Sequence, residues 1–289
     1  MYGIQDLVKK EFIKKAPFRC LFYNKAMTKL VEIKDSIKIG LAGERDLKGD
    51  LFIPPGNEKE RPGIVIVHGG GWREGDEKQL RGYGILLARE GFVCICTSYR
   101  LSTEAPWPAQ IQDVNCAIRY LKANSDELSL DPSRVGVTGN SAGGHLSLMA
   151  ALKNYNTSFE GEGGNNNIDS NVKAVCAIYP PARIVQYDNS DPIIDAYKML
   201  MGDAGQDEYD AASPLLQINS DFPPTMLIHG SSDTVVKLED STDLYEKLRQ
   251  ENVPTELHIF SEEDHAFDSV KGYGRSVAEL QNLFFKKYL

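Results

Sequence analysis

The sequence predicts an α/β domain: a mostly parallel central sheet covered by helices on both faces. Two observations carry this. From about residue 60 onward, short β-branched or apolar runs alternate with stretches of helical periodicity, the pattern of a parallel sheet wound with helices. Before that point, Leu30–Gly40 and Arg45–Ile53 read as strands with no helix between them, which predicts an antiparallel edge.

Taken in order, Ile64–Val67 is a β-branched run bounded by Pro62-Gly63 and by a glycine triplet. Glu77–Glu90 reads as a helix, although it holds Gly82 and Gly84. Phe92–Ser98 is a second apolar strand. Pro108–Asn124 places Ile111, Val114, Ala117, Ile118 and Leu121 at helical spacing. Arg134–Thr138 is a third strand and Ala142–Lys153 the helix after it. Val172–Tyr179, Thr225–His229 and Thr255–Phe260 are further strands, and Lys237–Asn252 and Ser276–Leu289 further helices. Asn154–Asn171, rich in asparagine and glycine, reads as a surface loop. Pro180–Pro224 is long for an α/β connection, where two to six residues are usual. Short helices are expected around Ile193–Met201, and the insertion as a whole, residues 180–224, is expected to cover a binding cleft.

The expected organisation is one domain over residues 1–289, with residues 1–30 as an N-terminal helical cap. Within it, Met1–Lys15 mixes lysines with apolar residues and reads as an amphipathic helix, not as a secretory signal. The chain of 289 residues has a net charge of −9, so its mean field repels phosphate; neither a nucleic-acid partner nor an anionic membrane surface is expected. No apolar run approaches the roughly 20 residues needed to span a bilayer. Five cysteines without a CxxC pair fit a reducing compartment, so a cytoplasmic location is expected. Cys94 and Cys96 lie two apart on one strand, hence on one face, as small core residues.

The chemistry concentrates in a few short segments. Gly139-Asn140-Ser141-Ala142-Gly143 follows a strand and opens a helix, the context that turns G-x-S-x-G into a nucleophile elbow. The turn is too tight for a Cβ on either side, and it lifts the Ser141 hydroxyl above the sheet edge. The helix N-terminus adds partial positive charge beside it. His68-Gly69-Gly70-Gly71-Trp72 follows the first parallel strand and bares backbone N–H groups suited to a developing oxyanion. It is neither a phosphate loop, since no Gly-Lys-Ser/Thr follows, nor a dinucleotide fingerprint.

Ser141 needs a base, and five histidines allow elimination. His68 belongs to the glycine loop. His145 lies four residues along the helix from Ser141 and points down it. His229 ends a strand and reads as buried or turn-bound, and His258 lies mid-strand. His265 sits in the loop after the last strand, at the sheet edge where doubly wound folds place their chemistry. His265 is therefore the expected general base. The orienting acid should follow the preceding strand at the same edge, which selects Asp233; Glu239, Asp240 and Asp264 are the runners-up. The chain order Ser141, Asp233, His265 is that of the nucleophile-elbow hydrolases.

Together with Ser98-Tyr99-Arg100-Leu101, Pro106–Asp113, Ala212-Ser213-Pro214, His229–Asp233 and Asp264–Phe267, these segments resemble the hormone-sensitive-lipase-like carboxylesterases of the α/β-hydrolase superfamily. Within that group the chain is most similar to bacterial acyl esterases of the feruloyl or acetylxylan esterase type. The resemblance runs from about Gly49 to Phe267. It implies an α/β-hydrolase fold, an oxyanion hole from Gly70, Gly71 and Ala142, and His68 and Tyr99–Leu101 with Asp113 as supports of the site. It implies no cofactor and no metal. The residue before the serine is commonly acidic in bacterial members and is Asn140 here. The expected activity is hydrolysis of short- to medium-chain acyl esters by a serine carboxylesterase through an acyl-enzyme. An arylformamidase or peptidase using the same three residues is the alternative, ahead of a non-catalytic ligand-binding protein. The expected partner is a small-molecule ester, with homodimer formation left open.

Overall fold

A computed structural model of the chain describes residues 30–152, 157–186, 192–269 and 272–289. The expected N-terminal helix, and all of the expected cap except Leu30, lie outside the described residues. Val31–Leu289 forms one compact unit.

The antiparallel edge is present. β1 (Glu32–Ala42) and β2 (Arg45–Ile53) pair antiparallel across the two-residue turn Gly43-Glu44. β2 also pairs antiparallel with β4 (Val93–Thr97). β3 (Arg61–Val67) lies parallel between β4 and β5 (Leu130–Asn140). β6 (Ala174–Ile178), β7 (Thr225–Gly230) and β8 (Thr255–Phe260) then add in parallel, giving the order β1-β2-β4-β3-β5-β6-β7-β8. The order reverses at β3. A crevice opens at the carboxyl ends of the strands beside such a reversal, and it is where open α/β sheets take their ligands.

Alternation along β3 divides the core. Val65 and Val67 face one apolar layer, with Ile111, Val114, Ile118 and Leu121 of α2 (Ala109–Ala123) and Leu146 of α4 (Ala142–Ala150). Ile64 and Ile66 face the other, with Tyr83 and Leu87 of α1 (Arg81–Arg89) and Val277, Phe284 and Phe285 of α9 (Tyr273–Tyr288). Cys94 and Cys96 share this second face, fully buried or nearly so, and burial pushes the Cys96 thiol well up. The four described cysteines are all buried free thiols.

Several elements depart from the expected bounds, and others were not expected at all. The helix expected from Glu77 starts at Arg81, because residues 77–80 are spent in turns, with the Asp76 carboxylate accepting the Lys78 N–H at 2.8 Å. β5 begins four residues earlier than expected, pairing Leu130 with Arg61 ahead of a register shift. α3 (Ser125–Leu128), a single turn, has no periodicity to announce it. The insertion carries α5 (Pro192–Met201), where short helices were expected, and two further short helices, α6 (Gln206–Ala211) and α7 (Pro214–Gln217). α8 (Leu238–Gln250) follows β7.

Candidate active site

Ser141 sits between β5 and α4 with φ 52° and ψ −121°, a left-handed conformation that a side chain rarely adopts. The neighbouring glycines make it attainable. A Cβ on Gly139 would lie 2.4 Å from the Gly143 carbonyl oxygen, and one on Gly143 would lie 2.1 Å from the Val67 carbonyl oxygen. The elbow is tied down from the next strand, since the Ser141 N–H donates to the Ile178 carbonyl at 2.8 Å.

The three residues selected from the sequence meet. Ser141 Oγ lies 3.0 Å from His265 Nε2, and His265 Nδ1 lies 2.8 Å from Asp233 Oδ2. They come from three strand ends: β5, β7 and β8. The imidazole side chain is 15% exposed and the Asp233 side chain is fully buried. Burial alone would raise the Asp233 carboxyl. Hydrogen bonds from His229, His265 and the Val236 N–H outweigh it and hold the group well below the usual carboxylate range. Asp233 is thus an anion at neutral pH, and its Oδ1 also takes the Val235 and Val236 N–H groups at 2.9 and 2.8 Å.

Two of the rival acids, Asp264 and Asp240, point elsewhere. Asp264 accepts the backbone N–H of His265 at 2.7 Å and that of Thr234 at 2.8 Å, so it shapes the loop without touching the ring. Asp240 accepts the Ala182 N–H at 2.7 Å. The other histidines are occupied as well. Burial lowers His68 to about 4; its ring stacks on Tyr99 with centroids 4.3 Å apart. Burial lowers His145 to about 4, and its Nε2–H donates to the Ala212 carbonyl at 2.7 Å. His258 is half-buried on β8, 3.4 Å from Glu256.

The glycine loop lies against the elbow: a Cβ on Gly69 would come 3.3 Å from Ser141 Cβ. Gly70 and Gly71 have φ of 106° and 56°, and the Gly70 carbonyl accepts from Arg73 and Glu74 N–H at 3.0 and 3.2 Å, turning the loop back on itself. Neither Gly70 nor Gly71 donates its N–H to a backbone carbonyl among the described residues. Ala142 opens α4, where backbone N–H groups lack partners in the helix. The loop is braced by the Tyr99 hydroxyl, which donates to the His68 carbonyl at 3.1 Å. Next to Tyr99, Arg100 is clamped by Asp113, its N–H on Oδ2 at 2.7 Å and its Nη2 on Oδ1 at 2.8 Å.

The insertion approaches this loop. Tyr197 of α5 packs on Trp72 with centroids 5.8 Å apart, and a Cβ on Gly71 would lie 3.9 Å from Ala196 Cβ. A cavity of about 360 Å³ lies between Ile193, Ile194 and Tyr197 of α5 and Val235 and Val236, just past Asp233.

Sequence reasoning missed a buried support under the site. Tyr179 donates to Asp268 Oδ1 and accepts from the Asn140 amide at 2.9 Å, while its ring lies 4.6 Å from that of His265. Tyr83 donates to Asp268 Oδ2 at 2.7 Å. The residue before the nucleophile is thereby tied to the loop that carries His265. Asp268, three residues past His265, is an acidic residue among many, and only the fold shows what it touches.

An eight-stranded, mostly parallel sheet with an elbow serine after β5 is an α/β-hydrolase. The sequence profile of the BD-FAE family matches residues 49–248, and the chain belongs to that family. Among individual proteins it is 33% identical over 201 residues to esterase LipC of Mycobacterium tuberculosis, covering 66% of this chain and 49% of that protein. It is 30% identical over 219 residues to the probable carboxylic ester hydrolase LipM of the same organism, covering 72% of this chain and 49% of LipM. The chain thus spans about half the length of the curated relatives it matches. In fold it superposes on a truncated form of a carbohydrate esterase from gut microbiota with a TM-score of 0.77. That match has 24% identity and covers 90% of this chain and 99% of the other. No helix among the described residues is long and apolar enough to cross a membrane, and no group of three or more metal-ligating side chains forms among them.

Proposed function

We propose that the protein is a serine carboxylesterase. The observation that carries the reading is the unbroken line of hydrogen bonds from Ser141 Oγ through His265 to Asp233, set beside the glycine loop. His265 Nε2 takes the Ser141 proton as Oγ attacks an ester carbonyl. The N–H groups of Gly70, Gly71 and Ala142 receive the oxyanion of the tetrahedral intermediate. Asp233 holds the Nδ1–H tautomer and stabilises the imidazolium that forms. His265 gives its proton to the leaving alcohol, then activates a water that releases the acid from the acyl-enzyme. The names of the relatives LipC and LipM, both called ester hydrolases or esterases, support an ester over an amide substrate.

The insertion over residues 180–224 supplies a wall of the substrate cleft in this reading, on the contacts of α5 with the glycine loop. Short- to medium-chain acyl esters are the substrates expected in this reading. A cytoplasmic location accords with the buried free thiols. The test is a series of p-nitrophenyl esters of increasing chain length, run beside formanilide and peptide substrates. Turnover that peaks on short esters supports the reading. Faster turnover of the formanilide or the peptide overturns the ester assignment.

A further inference from the structure

Asp233 carries a second imidazole. His229 lies four residues upstream, one before the end of β7, with a fully buried side chain. Its Nε2 faces two acceptors, the Val236 carbonyl at 3.0 Å and Asp233 Oδ2 at 3.3 Å. The carbonyl cannot donate and the carboxylate is ionised, so Nε2 bears the hydrogen. Nδ1 lies 2.7 Å from Ser241 Oγ, in α8, and Ser241 too is fully buried. With the hydrogen on Nε2, the Ser241 hydroxyl donates to the free lone pair of Nδ1. A line of contacts therefore runs Ser241, His229, Asp233, His265, Ser141, with the His229 N–H donating to the Val236 carbonyl and standing 3.3 Å from Asp233 Oδ2 as a longer charge–dipole contact. The inner histidine is shut away from solvent, and the outer one is not.

We propose that His229, kept in its Nε2–H tautomer by Ser241, is a positioning residue that fixes the Asp233 carboxylate and tempers its pull on His265. The proposal rests on the serine-hydrolase reading given above. Oδ1 is already held by two backbone N–H groups, and Oδ2 is shared between the two imidazoles. A buried acceptor left short of a donor is costly, and the His229 N–H spares Oδ2 that state whenever the outer ring moves. Taking that donor away leaves more of the carboxylate charge for His265. The imidazolium is then favoured, and His265 keeps its proton to higher pH. Other titratable groups face this line: Asp240 of α8 acts on His229, and Tyr179 at the end of β6 and Asp264 of the His265 loop act on Asp233. They are the same in every variant, so a shift between variants reports on residue 229.

The test needs no variant to begin with. In the full-length protein labelled with ¹⁵N-histidine, the His229 ring should show the Nε2–H tautomer; an Nδ1–H tautomer overturns the proposal. His229→Leu should lower kcat/KM for a short p-nitrophenyl ester roughly tenfold or more and move the acidic limb of its pH profile upward by about half a unit or more. His229→Gln, whose amide N–H can reach Asp233, should restore most of both. Should His229→Leu not fold, Ser241→Ala should produce the same two changes to a smaller extent. A folded His229→Leu or Ser241→Ala enzyme with wild-type kcat/KM and an unmoved acidic limb overturns the proposal, as does a loss of rate that His229→Gln does not rescue. Ser141→Ala, assayed alongside, separates the two levels. If it retains activity, the serine-hydrolase reading itself fails; if it is inactive while residue 229 proves indifferent, only the present proposal falls.

Discussion

The Val67 carbonyl oxygen, at the end of β3, occupies the space a side chain on Gly143 would need: a Cβ there would lie 2.1 Å away. β3 and the start of α4 are therefore in backbone contact, which brings the glycine loop after Val67 up to Ser141. Gly143→Ala should separate the two and lower kcat by about 10²-fold or more, since small misplacements of reacting groups carry penalties of that order. Circular dichroism should show the fold retained at low temperature with a reduced Tm. A variant with normal kcat and Tm would mean the contact is dispensable.

Ser141→Ala should abolish ester hydrolysis while leaving the fold intact, with a loss on the order of 10⁶ in kcat. A serine-directed phosphonate should label Ser141 and no other serine, as read by peptide mass spectrometry. Labelling elsewhere would move the nucleophile.

Asp233→Asn keeps the size of the side chain but can present an N–H to the imidazole and favour the wrong tautomer. A loss of roughly 10²–10⁴ in kcat is expected. Asp264→Asn and Asp240→Asn should each lose less than about tenfold, since their carboxylates bond backbone N–H groups and not the ring. The three variants compared in one assay decide the acid. A crippled Asp264→Asn beside a near-normal Asp233→Asn would reverse the assignment.

Acid should destabilise the fold before it neutralises Asp233. His68 and His145 are held uncharged by burial, each lowered from 6.5 to about 4. The unfolded chain binds their protons first, so the stability tied to their neutral forms is complete above about pH 6.5 and drains away as pH falls toward 4. Urea midpoints measured from pH 8 to pH 4.5 should be level at first and then decline through that window. His145→Gln should flatten the decline. An unchanged slope would mean that His145 carries no such linkage.

The elements were legible because local pattern and tertiary role agree in them. Ile64–Val67 is apolar on both faces because β3 is buried on both faces, and α2 shows helical spacing because one stripe of it meets the sheet. α3, α6 and α7 escaped notice, since four to six residues are too few for a periodicity to form. Ser141, Asp233 and His265 could be picked from the chain because a parallel sheet presents every loop after a strand at one edge, so each candidate could be judged by the strand it follows.

What the sequence alone determined was the sheet, the elbow and the short set of residues able to serve it. Those depend on spacing along the chain, and spacing survives in a string of letters. The tertiary structure alone decided that a second histidine stands beside Asp233, and that Tyr179 and Asp268 tie Asn140 to the His265 loop. Apart from His229 and Asp233, which stand four apart, those contacts join residues tens of positions apart with no common period. Which carboxylate oxygen meets which nitrogen depends on side-chain direction at the ends of separate strands, and that direction exists only once the sheet has formed.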